Sequence, residues 1–302
     1  MNPDDLRAKP NPDDDLGLFG PDSVTWKVHR EPVLLVAGLR SFYLQALHPR
    51  AMAGVAQNSN FRSDPWGRLV RTARYVGTTV YGTTAEAEAA GRRLTALHAR
   101  MRARDPQTGE EFRIDAPDLL RWVHVAEVES FLSTARRAGL RLSDAETDTY
   151  YTEQRRTAAL VGLDPDTVPG TAAAVADYYR EMRPHLRMTR DAAEIALFLT
   201  APPIPWKVSR PARLWLSFGP ARLAYFGIAG TAFGLLPSWA RRLYGGLGLP
   251  TTDRSAELGA RTLRLALNAV PRRYIEGPIY QAAQARAARL AGPDGADRGW
   301  ID

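Results

Sequence analysis

Along nearly the whole of this 302-residue chain, apolar residues recur at the spacing of one helix face, and strand-type alternation is almost absent. Local start and stop signals punctuate that pattern. The stretch from Pro32 to His48 opens on a favourable proline, carries Leu34, Leu35, Leu39, Phe42 and Leu47, and stops before Pro49. A helix is predicted over about 65–80. Thr83-x-x-Glu86 has the form of a capping box and opens a helix running past His98 to about Arg104. The DPQTGE run at 105–110 reads as a turn. Asp115 then leads a helix through Leu119, Leu120, Val123, Val128 and Phe131 that ends near Gly139. Ser143-x-x-Glu146 caps another, to Gly162. Further helices are predicted at about 168–183, 189–200, 211–229, 237–245, 251–269 and 271–291. The run TTVYG at 78–82 is the one short strand candidate, and no fixed-period repeat is present. The fold class is all-α.

Residues 1–22 and 292–302 are rich in Pro, Asp and Gly and read as tails around one helical domain over 23–291. The proline cluster at 202–205 could separate two lobes, but each side is too hydrophobic to stand apart. With 45% hydrophobic residues the chain can build a large core. The absence of cysteine excludes disulfides, iron–sulfur clusters, thiolate metal sites and cysteine nucleophiles. Neither a G-x-S-x-G elbow nor a Walker or dinucleotide glycine loop occurs. The net charge of +7 comes from scattered arginines, with only Lys9, Lys27 and Lys207 as lysines, so nucleic acid is not expected as a partner. The acidic, proline-rich start lacks an apolar signal core, which points to a cytoplasmic location. The least polar stretch, Leu214 to Leu236, is broken by Pro220 and Arg222 and reads as a buried helical pair. Arg210, Arg213, Arg222, Arg241 and Arg242 around Trp215, Phe218 and Trp239 also suit peripheral membrane contact through 210–242.

Chemistry concentrates in the first half. Arg68, Arg71, Thr72 and Tyr75 fall at i, i+3, i+4 and i+7, one helix face that suits a bound anion or a polar reactive centre. His98 shares a stripe with Leu94, Leu97 and Met101, His124 lies in an apolar helix one turn before Glu127, and His48 ends a hydrophobic helix. Two schemes fit: a haem with one imidazole on iron and arginines near its propionates, or a non-haem metal held by His48, His98 and His124. The second lacks any short-range ligand spacing, and satisfied core histidines are the plain alternative.

The runs LHPRAMAGV (47–55), FRSDPWGRLVRT (61–72), Leu97-His98 and DLLRWVH (118–124) resemble the MpaB-type oxygenase family, which shares its catalytic domain with the latex-clearing rubber oxygenases. The resemblance covers roughly 30–240 and implies an all-helical fold around a globin-like core with haem b. By motif order it places the axial iron ligand at His98 and the haem-side arginine and threonine at Arg68 and Thr72. Arg71 stands where those enzymes often carry a lysine; an arginine neither ligates iron nor acts as a base near neutral pH. The expected catalytic roles are therefore for Arg68 or Arg71 to hydrogen-bond bound oxygen or a propionate, with Thr72 hydrogen-bonding the same oxygen. His48 and His124 belong to the pattern and, with Tyr75, are cofactor-side candidates. The resemblance implies a haem-dependent oxygenase for an apolar, isoprenoid or lipid-like substrate and dioxygen. Phe42, Leu97, Met101, Leu120 and Phe131 would form its apolar walls. Two other readings stay open: a haem protein without oxygenase activity, and a peripheral lipid-binding helical protein.

Overall fold

A computed structural model describes residues 15–59, 64–202 and 219–291. Thirteen α-helices follow in chain order: α1 Val24–His29, α2 Leu34–Ala46, α3 Pro49–Asn58, α4 Pro65–Tyr81, α5 Thr84–Arg100, α6 Pro117–Arg137, α7 Asp144–Leu160, α8 Ala172–Met182, α9 Arg190–Thr200, α10 Pro220–Gly234, α11 Ser238–Leu243, α12 Pro250–Asn268 and α13 Pro278–Ala291. The architecture is all-α, with one small hairpin. Both capping boxes form: Thr83 and Ser143 each accept from the amide three residues on, and Glu86 and Glu146 return the bond. Gly139, at φ 111°, closes α6.

Three local expectations change. The TTVYG segment is the last turn of α4, not a strand, because helical bonding carries through to the Gly82 amide on Thr78 O. Helix α5 stops at Arg100 rather than Arg104, since Arg102–Arg104 pairs antiparallel with Glu111–Arg113 as β1 and β2. That hairpin buries Ala103 and Phe112 against Ala53 and Leu119. Helices α1 and α3 are additional. Helix α1 is capped locally by Ser23, whose Oγ accepts from Trp26 N–H at 3.1 Å, and its Val24 and Thr25 amides also donate to the Glu153 carboxylate of α7. For α3 the cap is His48, whose Nδ1 accepts from Ala51 N–H at 3.3 Å, with Pro49 in the first turn. Asp15, Gly17 and Leu18, assigned to the N-terminal tail, are tied down. Asp15 accepts from the Thr84 hydroxyl at 2.9 Å, and Leu18 O accepts from Arg156.

The main core runs without interruption from Val24 to Ala260 and centres on α2 lying along α6. Trp122, Tyr43, Leu39, Leu44 and Leu132 are essentially fully buried there. Helix α10 packs on α2 and α12, so the regions on either side of the proline cluster share one core. Charge enters this core in matched sets. Arg40 Nη1 and Nη2 donate to Glu129 at 2.6 and 3.1 Å, its remaining donors reach Ser130 and Leu235 O, and Tyr179 donates to Glu129. Arg241 donates to both Asp253 oxygens and to the carbonyls of Gly234 and Leu236, while Arg137 donates to Leu235 O, Asp253 and Glu257. Three guanidiniums therefore satisfy the free carbonyls at the C-terminal end of α10, where the helix dipole is negative. Arg241 was expected at a membrane surface; it is buried, because its charge is consumed here. Trp239 is likewise engaged, by Tyr179 and Arg183. Arg210, Arg213, Trp215 and Phe218 lie outside the described residues. Among the described residues no helix is long and apolar enough to cross a membrane.

The hairpin of α4 and α5 is attached differently. Helix α4 packs on α5, α13 and α1, and α5 packs on α7, where Gly91 lets the backbone approach Leu160. Neither lies closely against α6. A gap therefore separates the polar faces of α4 and α5 from the α2–α6 core.

Candidate functional site

Two cavities occupy that region and share Gln45, Ala51, Val55, Arg68 and Val123. One is almost entirely apolar, with Phe42, Met52, Leu69, Ile195 and Phe198 among its walls. The other is lined by Asn58, Ser59, His98, Met101 and Leu120, with Phe112 of the hairpin. Arg68 stands where the two meet.

The sequence candidates separate on inspection. Arg68 is part-buried and donates to Ser59 Oγ at 2.6 Å, with no carboxylate paired to it among the described residues. Burial, then the charge of Arg71, presses its pKa down. A cation kept from water without a counter-ion is an anion-binding group in waiting. Arg71 itself is 66% exposed and pairs with Asp64 at 3.1 Å, directed to solvent rather than into the cavities. Thr72 is half-buried and lines neither cavity. One turn on, Tyr75 places its hydroxyl in the interior with no hydrogen-bond partner, and burial followed by Glu127 pushes its pKa up to about 12.

His98, in the last turn of α5, lines the second cavity with a buried Nδ1 that no group satisfies. Burial lowers its pKa against an opposing pull from Asp115, so the imidazole is neutral and free to ligate. His124 has its pKa lowered to about 4 by burial and no hydrogen-bond partner among the described residues. His48 is committed elsewhere: it caps α3 and packs near Trp122, outside both cavity linings. No group of three His, Asp or Glu side chains that could hold a metal forms among the described residues. The three-histidine metal scheme therefore has no support in the geometry. Of the expected apolar walls, Phe42, Met101 and Leu120 are in place. Leu97 is 50% exposed, one position around the helix from His98, and Phe131 packs on His29 in the core.

One residue of consequence escaped the site prediction. Glu127, one turn beyond Val123 on α6, makes no hydrogen bond or ion pair among the described residues, and burial pushes its carboxyl up to about 7. Its place one turn after His124 was visible in the sequence, but its lack of a partner was not.

These residues fit a haem. The group needs apolar walls, a neutral imidazole and cations for its carboxylates; the cavities, His98 and Arg68 supply these in one place. No curated protein and no solved structure matches the chain. Residues 26–269 match the family described as the ER-bound oxygenase mpaB/B'/Rubber oxygenase, catalytic domain. The match takes in every helix from α2 to α12 and both cavities, and the chain belongs to that oxygenase family.

Proposed function

We propose that this chain is a haem b-dependent oxygenase acting on an apolar, isoprenoid or lipid-like substrate. The observation that carries the reading is the unsatisfied imidazole of His98 on a cavity it shares with the uncompensated guanidinium of Arg68. A buried polar group left without a partner, as His98 Nδ1 is, costs about 1–3 kcal/mol, a cost a bound ligand would remove. His98 would hold the iron and Arg68 a propionate or a developing negative charge. When bound, haem supplies the redox-active centre for dioxygen chemistry. The apolar cavity beside it would seat the substrate chain against Phe42, Met52, Ile195 and Phe198 and keep water out. Its lining has few polar groups, which suits a hydrocarbon better than a charged metabolite.

The test is the absorption spectrum of the purified protein, oxidised and dithionite-reduced, beside His98→Ala. A Soret band present in the wild type and lost in the variant supports cofactor and ligand together. No Soret band after expression with added haem precursor would sink the haem reading, and full loading of His98→Ala would move the ligand elsewhere.

A further inference from the structure

A third pocket shares no lining residue with the two cavities that meet at Arg68. Both ends of the chain build it: the end of α1, the link that follows α6, the end of α12 and the stretch from Val270 to Glu276.

Its charges do not balance. Lys27, Arg30, Arg264 and Arg272 line it against two carboxylates, Glu31 and Glu276. Glu31 is consumed by a two-pronged pair with Arg264, at 2.6 and 2.8 Å. Glu276 stands 3.6 Å from Arg272, too far for a hydrogen bond. Lys27 turns to Glu146 on α7 at 2.8 Å. The side chains of Arg30 and Asn268 make no hydrogen bond or ion pair among the described residues. Elsewhere in this protein arginines near a helix end donate to its free carbonyls, as Arg137 and Arg241 do on α10. At the end of α1 backbone amides do this instead: those of Arg30 and Glu31 bond Trp26 O and Val28 O. The Arg30 guanidinium is left over. The rest of the lining is apolar, with Pro32, Leu140, Leu267 and Ile275 part-exposed or buried and Val270 open to water.

We propose that this pocket binds a phosphate monoester carrying an apolar chain, with Arg30 as its main anchor. Arg30, Asn268 and Arg272 reach the pocket from three segments and offer N–H donors. Three donors suit the three terminal oxygens of a phosphate better than the two of a carboxylate. The planar guanidinium takes two of those oxygens at once. The chain of the ligand covers Leu140, Leu267 and Ile275, removing their exposed surface from water. Such a ligand bridges segments from both ends of the sequence, so it stabilises the fold when bound. The site is independent of the haem reading.

The test uses the full chain and octyl phosphate below its micelle threshold, followed by calorimetry and thermal melts. Saturable binding is expected, with a melting point that rises with ligand concentration. Inorganic phosphate lacks the chain and octanoate lacks the third oxygen; each should bind about tenfold more weakly or worse. Arg30→Ala should lower the affinity for octyl phosphate about tenfold or more, and Arg30→Lys should recover only part of it. Both variants should melt as wild type without ligand, since the Arg30 side chain holds nothing in the fold. Arg92→Ala, which removes an exposed arginine of α5, should bind as wild type. Co-sedimentation with phosphatidylcholine vesicles containing phosphatidic acid separates the sources. Capture that needs Arg30 identifies a membrane lipid as the phosphate, and binding of octyl phosphate without capture identifies a free ligand. The proposal is overturned by any of four results: no saturable binding, undiminished affinity in Arg30→Ala, an equal loss in Arg92→Ala, or inorganic phosphate or octanoate bound as tightly.

Discussion

The α2–α6–α10 core and the gap beneath α4–α5 treat buried charge in opposite ways. In the core Arg40, Arg137 and Arg241 meet Glu129, Asp253, Glu257 and the last carbonyls of α10, so each charge entering the interior finds partners. Across the gap, among the described residues, Arg68 lacks a counter-ion, His98 Nδ1 and Tyr75 Oη lack any partner, and Glu127 makes no ion pair. Both regions use α6, and the contrasting glutamates are two residues apart. The lesson is that the same helix meets its buried charges with partners on its core face and leaves them open along the cavities. Groups left open around a cavity mark where a ligand completes the structure.

The largest effect should come from breaking a matched pair. Arg40→Ala strands Glu129 in the core and should cost about 3–5 kcal/mol, read as a lower urea midpoint with an unchanged slope. A loss below about 1 kcal/mol would erase the contrast. Next, His98→Ala should remove the Soret band while leaving the cofactor-free protein as stable as wild type within about 1 kcal/mol, since no protein bond is lost.

The pH dependence of stability sharpens the comparison further. The Glu127 pKa rises from 4.5 to about 7 on folding, so its contribution is fully present below pH 4.5 and is lost as pH rises through 7. The total is about 3 kcal/mol by linkage. His124 and His48, lowered to about 4, and His29, lowered to about 3, act in the opposite sense; their contribution is present above pH 6.5 and fades as pH falls toward those values. The difference between wild type and Glu127→Gln isolates the carboxyl: denaturation curves should show the variant gaining on the wild type between pH 5 and 8. A constant offset over that interval would mean that Glu127 is solvated or paired in solution. The smallest effect belongs to Arg71→Ala. Its exposed pair with Asp64 is worth less than about 1 kcal/mol, and haem retention should survive unchanged, unlike the outcome at His98.

Helix positions were largely legible because their causes are local. Caps at Thr83 and Ser143, a stop at Gly139 and the apolar stripes of α2, α6 and α7 act within a few residues. The failures share the opposite cause. Helix α1, six residues long and capped locally by Ser23, also draws on Glu153 from far along the chain, and Arg102–Arg104 left the helical pattern to pair with another segment. At the site, the sequence named Arg68, His98 and Tyr75 among its candidates. It could not separate Arg68, at the meeting of two cavities, from Arg71, paired in solvent.

By itself, then, the sequence determined the helical class, most helix limits and the family, because propensity, capping and ordered motifs are properties of short segments. Only the tertiary structure decided that Glu129 is bound while Glu127 is free, that His48 caps a helix while His98 faces a cavity, and that α10 ends on three arginines. Those outcomes depend on which groups remote segments bring within hydrogen-bonding distance, and on where they leave a gap. Burial without a partner is a property of the assembled chain, and it is what gives these residues their chemistry.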